Sequence, residues 1–167
     1  MQQLSYPATL KADKTGGYVV TFKDVPEAIT QGEDLDDALE QAADALDEAM
    51  AGRMRLRDEI PMPSKAGKDT PLVPLPTATA LKVALYRTIR EAELSNVKVA
   101  KRLGYDEKEV RRLLNPDHAS KAQRIEEALG LLGKKVVVSI EDKKEIKKPA
   151  PVGSGRRRAG CVLQVPR

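Results

Sequence analysis

The sequence predicts an α+β protein. A small antiparallel sheet with one helix is followed by an all-α region that contains a helix-turn-helix and ends in a short β-strand. Three observations lead to this prediction. Residues near the N-terminus alternate between apolar and polar with the period of a strand. A stretch beginning at Leu35 carries apolar residues at helical spacing. Residues Leu94–Asn115 have the pattern of two short helices joined by a glycine turn.

The first elements are the strands of a hairpin. Leu4–Leu10 alternates apolar and polar residues, and Gly16–Gly17 suits a tight turn before a second strand at Tyr18–Phe22. Pro7 has no N–H to donate, so we expect its ladder position at a free edge or at a strand end. A third short strand is expected near Ala28–Thr30.

A helix is predicted from Leu35 to Met50, because its apolar residues fall on one face. Acidic residues crowd its start, where the helix dipole favours negative charge. The following segment, residues 61–76, holds five of the 11 prolines, which excludes a helix there. Within it, Thr70–Pro76 is predicted to be an extended edge strand that completes the first domain.

The helix-turn-helix has recognisable start and stop signals. Ser95 is placed to cap the first helix, and Gly104 can end it in a left-handed conformation. Asp106 can cap the second helix, and Glu109 completes a capping-box pattern. The second helix is basic on its outer side, as in units that enter the DNA major groove. The alternative is a generic helical hairpin with a solvated charged face.

One helix precedes this unit, across Leu81–Ala92, and another follows from a cap at Ser120. Val136–Ile140 is predicted to be a short strand, and a lone strand needs a partner. We therefore expect it to pair with the same strand of a second subunit, with the dimer-forming residues Val136, Val138 and Ile140.

These elements divide the chain into domains at residues 1–76 and 77–142, followed by a disordered basic tail at residues 143–167. The charge supports the division. Residues 1–60 carry 6 Lys/Arg and 13 Asp/Glu, whereas residues 78–134 carry 12 and 8. The second half therefore suits a polyanion, while the first should prefer a basic partner or none. The tail is most simply a solvated end, and otherwise adds weak attraction to phosphates.

Several classes of protein are disfavoured. No run of about 18 apolar residues exists to span a membrane, and the N-terminus has no secretory signal pattern. Cys161 is the single cysteine, which excludes an internal disulfide and a cysteine metal cluster. We expect a cytoplasmic protein without a metal or another cofactor.

The first half resembles a known family. Tyr6–Met50 contains Gly-Gly-Tyr in the hairpin, then Phe-x-Asp-x-Pro, Thr-x-Gly and an alanine-rich helix. This order resembles the N-terminal domain of HicB antitoxins. Leu81–Ile140 resembles the helix-turn-helix version of the HicB C-terminal domain.

The resemblance implies a toxin–antitoxin pair. HicB proteins block HicA, a small toxin that cleaves mRNA with a catalytic histidine on a fold like that of double-stranded-RNA-binding domains. They also repress their own operon through the C-terminal domain. The N-terminal domain of the family is a partial ribonuclease-H-like fold without catalysis.

Here the first strand, Leu4–Leu10, has no carboxylate, which argues against a metal-dependent nuclease. The single histidine, His118, has no evident catalytic partners, so the protein is not expected to be an enzyme.

Candidate binding residues follow from these assignments. The recognition helix and the helix before it supply the DNA-binding candidates Ser95, Asn96, Lys98, Lys101, Tyr105, Glu107, Lys108, Arg111 and Arg112. The toxin-binding candidates are Tyr6, Tyr18, Phe22 and Asp24, although aromatic strand residues are more often part of a core.

The expected partners are a HicA-like toxin, operator DNA with inverted repeats, and a second copy of the chain. Whether dimers assemble further into tetramers is open. The alternative function is a transcriptional regulator whose N-terminal domain senses a small ligand or another protein.

Overall fold

A computed structural model describes residues 4–14 and 16–139. It confirms the α+β class, with a four-stranded sheet, a long helix and a helical C-terminal region. The elements in chain order are β1 Ser5–Ala12, β2 Tyr18–Phe22, β3 Ile29–Gly32, α1 Leu35–Leu56, β4 Leu72–Pro74, α2 Thr77–Glu91, α3 Asn96–Leu103, α4 Glu107–Leu114 and α5 Ala122–Leu131. Ile140 and the predicted tail at residues 143–167 lie outside the described residues.

The sheet has the strand order β3-β2-β1-β4, and each pair of neighbouring strands is antiparallel. The predicted edge strand is confirmed, since β4 pairs with β1 through Tyr6 and Val73. Pro7 lies one residue beyond the last β1–β2 pair, which joins Ala8 to Phe22. As expected, Pro7 is placed where the ladder between these two strands ends.

Two glycines allow close contacts around the start of α1. A Cβ on Gly32 would overlap the backbone of Ala38 and lie 2.8 Å from the Cβ of Ala38. Gly17 has a φ of +80°, and a Cβ there would overlap the carbonyl of Gly32. The glycine of Thr-x-Gly therefore lets the end of β3 pack against α1, and the glycine of Gly-Gly-Tyr lets the hairpin turn pack against the end of β3.

Helix α1 begins as predicted but runs six residues further, to Leu56. Asp34 caps it by accepting a hydrogen bond from the Asp37 amide at 3.0 Å. The extension arises because Met54 continues the buried face beyond Met50. The helix ends at Arg57, which is left-handed with a φ of 59°.

Helix α2 contributes to two hydrophobic cores. Val83 and Tyr86 pack with the sheet and α1, while Leu85 and Ile89 pack with the following helices. The phenol of Tyr86 also donates to the carbonyl of Asp58 at 2.8 Å. The predicted boundary after residue 76 therefore marks a change in secondary structure, and the two cores share the helix that follows it.

The helix-turn-helix forms at the predicted positions. Ser95 and Asp106 accept hydrogen bonds from the amides of Lys98 and Glu109, at 3.3 and 2.6 Å. Gly104 ends α3 in the left-handed conformation, with a φ of 68°. One detail differs from the prediction: Ser120 does not cap α5, which begins after Lys121. Residues 136–139 are not paired with the sheet of this chain, and their predicted pairing with a second subunit stays a prediction.

Candidate functional site

The helix-turn-helix exposes many polar side chains, and Val97 on α3 is an exposed apolar residue among them. Most of the predicted DNA-binding side chains are exposed on α3, on α4 and at their starts. The exposed members are Ser95, Lys98, Lys101, Glu107, Lys108, Arg111 and Arg112, whereas Asn96 and Tyr105 are half-buried. The structure therefore brings the predicted cations together on one helix pair, with the N-terminus of α4 beside them.

Arg111 is held by an ion pair within α4. Its guanidinium lies 3.2 Å from the carboxylate of Glu107, one turn earlier. Both side chains are exposed, and such a pair contributes only about 0–1 kcal/mol. A phosphate or a base can therefore compete for the guanidinium at little cost.

Tyr105 is partly covered by a residue that the sequence did not single out. The guanidinium of Arg124 on α5 lies 4.7 Å from the centre of the Tyr105 ring. Arg124 also pairs with Glu109 on α4, which raises the pKa of the guanidinium. Glu109 thus joins α4 to α5. Tyr105, one of the predicted DNA-binding residues, is therefore held against α5 by a cation–π contact with Arg124.

The turn after α4 is anchored by a buried lysine. The ammonium of Lys82 donates to the carbonyls of Asn115 and Pro116, at 2.6 and 2.9 Å, and to that of His118. Burial lowers the pKa of Lys82. Helix α2 therefore fixes the C-terminal end of α4 through three hydrogen bonds from one side chain.

The same turn is joined to α1. The guanidinium of Arg55 donates to both carboxylate oxygens of Asp117, at 2.5 and 3.1 Å, and to Glu48 at 2.9 Å. The bond to Arg55 lowers the pKa of Asp117. These bonds from Arg55 link the long helix of the first domain to the turn that follows α4.

The lowered pKa of Asp117 predicts acid sensitivity. A carboxyl whose folded pKa is depressed stabilises the fold above its unfolded pKa, near 3.9, and that stability is lost as pH falls through the folded value. Urea unfolding between pH 6 and pH 3 should therefore show a smaller fall of the midpoint in Asp117→Asn than in the wild type. Glu126→Gln, which removes an exposed carboxylate on α5, is the control. Parallel curves for Asp117→Asn and the wild type would contradict the assignment.

Two of the predicted toxin-binding residues are in the core. Tyr6 is 0% exposed and Phe22 is 3% exposed. The phenol of Tyr6 donates to the carbonyl of Pro61 at 2.8 Å, and burial raises the pKa of Tyr6 to about 12. Their side chains do not reach the surface, because this face of the sheet is covered by α1. We therefore correct these two assignments: Tyr6 and Phe22 support the domain from within.

The other two predicted toxin-binding residues lie nearer the surface. Tyr18 is half-buried and lines a cavity of about 230 Å³ beside the hairpin turn. Asp24 accepts hydrogen bonds from the amide and hydroxyl of Ser64, at 2.9 and 3.0 Å. Asp24 therefore holds the proline-rich segment against the sheet, whatever else it contacts.

A row of acidic side chains on α1 was not identified as a site from the sequence. Asp36, Glu40, Asp44 and Glu48 are all exposed and follow one another at four-residue intervals along α1. Like charges at this spacing disfavour a helix by about 0.2–0.5 kcal/mol per pair. The row, named here the acidic row, could have been found from its spacing.

The predicted dimer-forming segment is only partly as expected. Val136 packs against the helical core of its own chain. Val137 and Val138 are 61% and 77% exposed, and Leu131 at the end of α5 is 55% exposed. The exposed apolar side chains of Leu131, Val137 and Val138, near the end of the described residues, are together called the apolar patch here.

Groups for catalysis are sparse. Among residues 4–14 and 16–139 no three His, Cys, Asp or Glu side chains come together to hold a metal ion. His118 lies 3.2 Å from the Ser120 hydroxyl, and the neighbouring Asp117 is engaged by Arg55. No helix in the described part of the chain is long and apolar enough to cross a membrane.

The chain is similar to proteins with a shared description. A family profile described as a HicB-like antitoxin of bacterial toxin–antitoxin systems matches residues 5–84. The chain is 33% identical to Antitoxin HicB 1 of Photorhabdus laumondii over 141 residues, covering 84% of this chain and 90% of the relative. It is 36% identical to Antitoxin HicB of Escherichia coli K12 over 133 residues, covering 80% and 96%. A third relative, Antitoxin HicB of Pseudomonas fluorescens, is 32% identical over 130 residues, covering 77% and 89%.

Proposed function

The chain belongs to the HicB antitoxin family, and we propose that it neutralises a cognate HicA-like, mRNA-cleaving toxin and represses its own operon by binding operator DNA. The observation that carries the proposal is that the relatives match both halves of the chain. The family itself suggests a non-catalytic regulator.

The first domain supplies the toxin-binding half of the proposal. A toxin that binds RNA must present positive charge to phosphates, and the acidic row on α1 offers the complementary charge. Such complementarity accelerates association and favours the right partner. An antitoxin that covers the RNA-binding surface of the toxin also excludes the substrate, so no catalysis by the antitoxin is required.

The acidic row gives a direct test of toxin binding. The product of the small reading frame adjacent to this gene is co-expressed with the chain, and growth and co-purification are scored. Asp44→Lys should weaken the complex about tenfold at low salt, with a smaller loss at high salt because ions screen the exposed charges. Glu126→Lys makes the same charge change on α5 and should bind like the wild type. Equal, salt-independent binding by Asp44→Lys would contradict the electrostatic account.

The helical region supplies the DNA-binding half. In our proposal α4 enters the major groove, where Arg111 and Lys108 face base edges and Glu107 orients Arg111. Lys98 and Lys101 on α3 are suited to phosphates, which position a protein without reading sequence. The hydrogen bonds of Lys82 and Arg55 would fix the turn at the C-terminal end of α4.

A dimer is proposed through the apolar patch at the end of α5. Leu131, Val137 and Val138 would be covered by the same residues of a second subunit. Two matched recognition helices then require two matched half-sites, so an inverted-repeat operator is expected. A footprint confined to one asymmetric half-site would contradict the dimer.

Arg111 and Lys101 should differ in their effect on DNA binding. Arg111→Ala should cost about 1–3 kcal/mol on the operator and relax specificity, because a bidentate contact to a base is lost. Lys101→Ala should weaken operator and random DNA alike and lower the salt dependence by about one ion. Titrations of both DNAs at several salt concentrations measure this. Identical losses on both DNAs for both variants would reject the division of roles.

A further inference from the structure

Helix α1 has a partly exposed apolar flank beside the acidic row. Ala45, Ala49, Gly52 and Leu56 follow one another at intervals of four, three and four residues, which places them along one side of the helix. Ala45 and Ala49 are half-buried against the core, and Leu56 is 74% exposed. A large apolar side chain thus stands in solvent at the end of a line of small residues.

This flank borders an open groove of about 520 Å³. Ala49, Gly52 and Leu56 form its apolar side, and the segment that follows α1 forms the other. A Cβ built on Gly52 meets nothing within 4 Å, so the space above the glycine is open. The volume is sufficient for a large side chain from a partner, and the small residues allow that partner's backbone to come close.

The edges of the groove are acidic. Glu27, Asp58 and Glu59 lie along one edge. Arg53, also in the lining, is already bound by Glu27, with its Nη2 3.1 Å from a carboxylate oxygen. That pairing lowers the pKa of Glu27. Asp44 and Glu48 lie on the same helix, and Glu48 is bound by Arg55. Arg53 and Arg55 are therefore both engaged by carboxylates of their own chain, and Asp58 and Glu59 are exposed at the groove.

We propose that this groove is the docking site for the toxin: it accepts one large apolar side chain of the toxin, flanked by Lys or Arg residues that face Glu59 and Asp44. The proposal rests on the proposed function and adds the location and the chemistry of the contact. Charge complementarity selects this occupant. The opposite face of the sheet exposes Lys11 and Lys23 and would repel a basic protein.

The test fills the groove without adding charge. Gly52→Leu places a side chain in the open space, and leucine also favours the helix over glycine, so folding is retained. Gly52→Ala is the matched control, since one methyl leaves most of the volume. The probe is the adjacent-frame toxin with its catalytic histidine replaced, titrated by calorimetry against the full chain. We expect Gly52→Leu to weaken binding at least tenfold and Gly52→Ala by less than twofold. Leu56→Ala should weaken binding several-fold.

The outcomes separate this proposal from the proposed function. If the wild type neither binds nor neutralises the toxin, the proposed function fails and the docking site fails with it. If the wild type and Gly52→Leu bind equally, the antitoxin function stands and the groove is rejected as its site. Sedimentation of the chain without toxin tests whether a second copy of the chain occupies the groove instead. A change of oligomeric state in Gly52→Leu would assign the groove to a second copy and overturn the proposal.

Discussion

Gly32→Ala should lower the free energy of unfolding by about 3 kcal/mol, because an added Cβ must displace the backbone at the start of α1. The backbone of Ala38 cannot move without shifting the helix and the core beneath it. For a chain of this length, the loss corresponds to a melting temperature about 6–12 °C lower. Calorimetry or circular dichroism on the purified chain measures it.

Gly52→Ala is the control for this substitution. It lies in α1, has open space around the new methyl, and should raise stability by up to about 1 kcal/mol because alanine favours a helix over glycine. A loss of stability in Gly32→Ala and a gain in Gly52→Ala would identify close packing as the role of Gly32. A Gly32→Ala protein as stable as the wild type would show that the start of α1 can move.

Lys82→Met should give the second large effect, on stability and on DNA binding together. Methionine matches the lysine chain as far as Cε but removes the ammonium that donates to the carbonyls of Asn115, Pro116 and His118. We expect a loss of about 1–3 kcal/mol in stability, since the partly buried carbonyl acceptors lose their partner and water replaces it only in part. Operator affinity should fall further, because the turn at the end of α4 is no longer fixed.

Lys121→Met is the matched control. It removes the same charge, and Lys121 is exposed just before α5. Binding of operator and random DNA by both variants should be measured well below their melting temperatures. Lys82→Met should lose operator affinity while random DNA is affected less, since phosphate contacts from α3 are retained. Equal affinities for Lys82→Met and Lys121→Met would show that the anchor is not needed for recognition.

The helix-turn-helix shows how much of the fold the sequence predicts. Ser95, Gly104 and Asp106 were assigned from local patterns, and each has the expected place in a cap or a turn. The edge strand near residue 72 was also predicted correctly, because prolines exclude a helix there and a sheet needs an edge. These signals work because a cap or a strand period is encoded within a few neighbouring residues.

The candidate surfaces were less predictable. The sequence identified exposed cations on α3 and α4, since polar side chains opposite an apolar face must lie outside. It did not distinguish Tyr6 and Phe22, which are buried, from Tyr18, which lies nearer the surface, because alternation assigns a strand face without stating what covers it. Nor did it identify Arg124 as the residue that stacks on Tyr105.

The sequence by itself determined the element types, their order, the capped helix-turn-helix and the separation of an acidic first half from a basic second half. Only the tertiary structure decided that α2 belongs to both cores, that Arg55 meets Asp117 62 residues away, and that Lys82 holds the turn after the recognition helix. The physical reason is the range of the interactions. Caps and periodicity are local, whereas these contacts depend on how whole helices pack against one another.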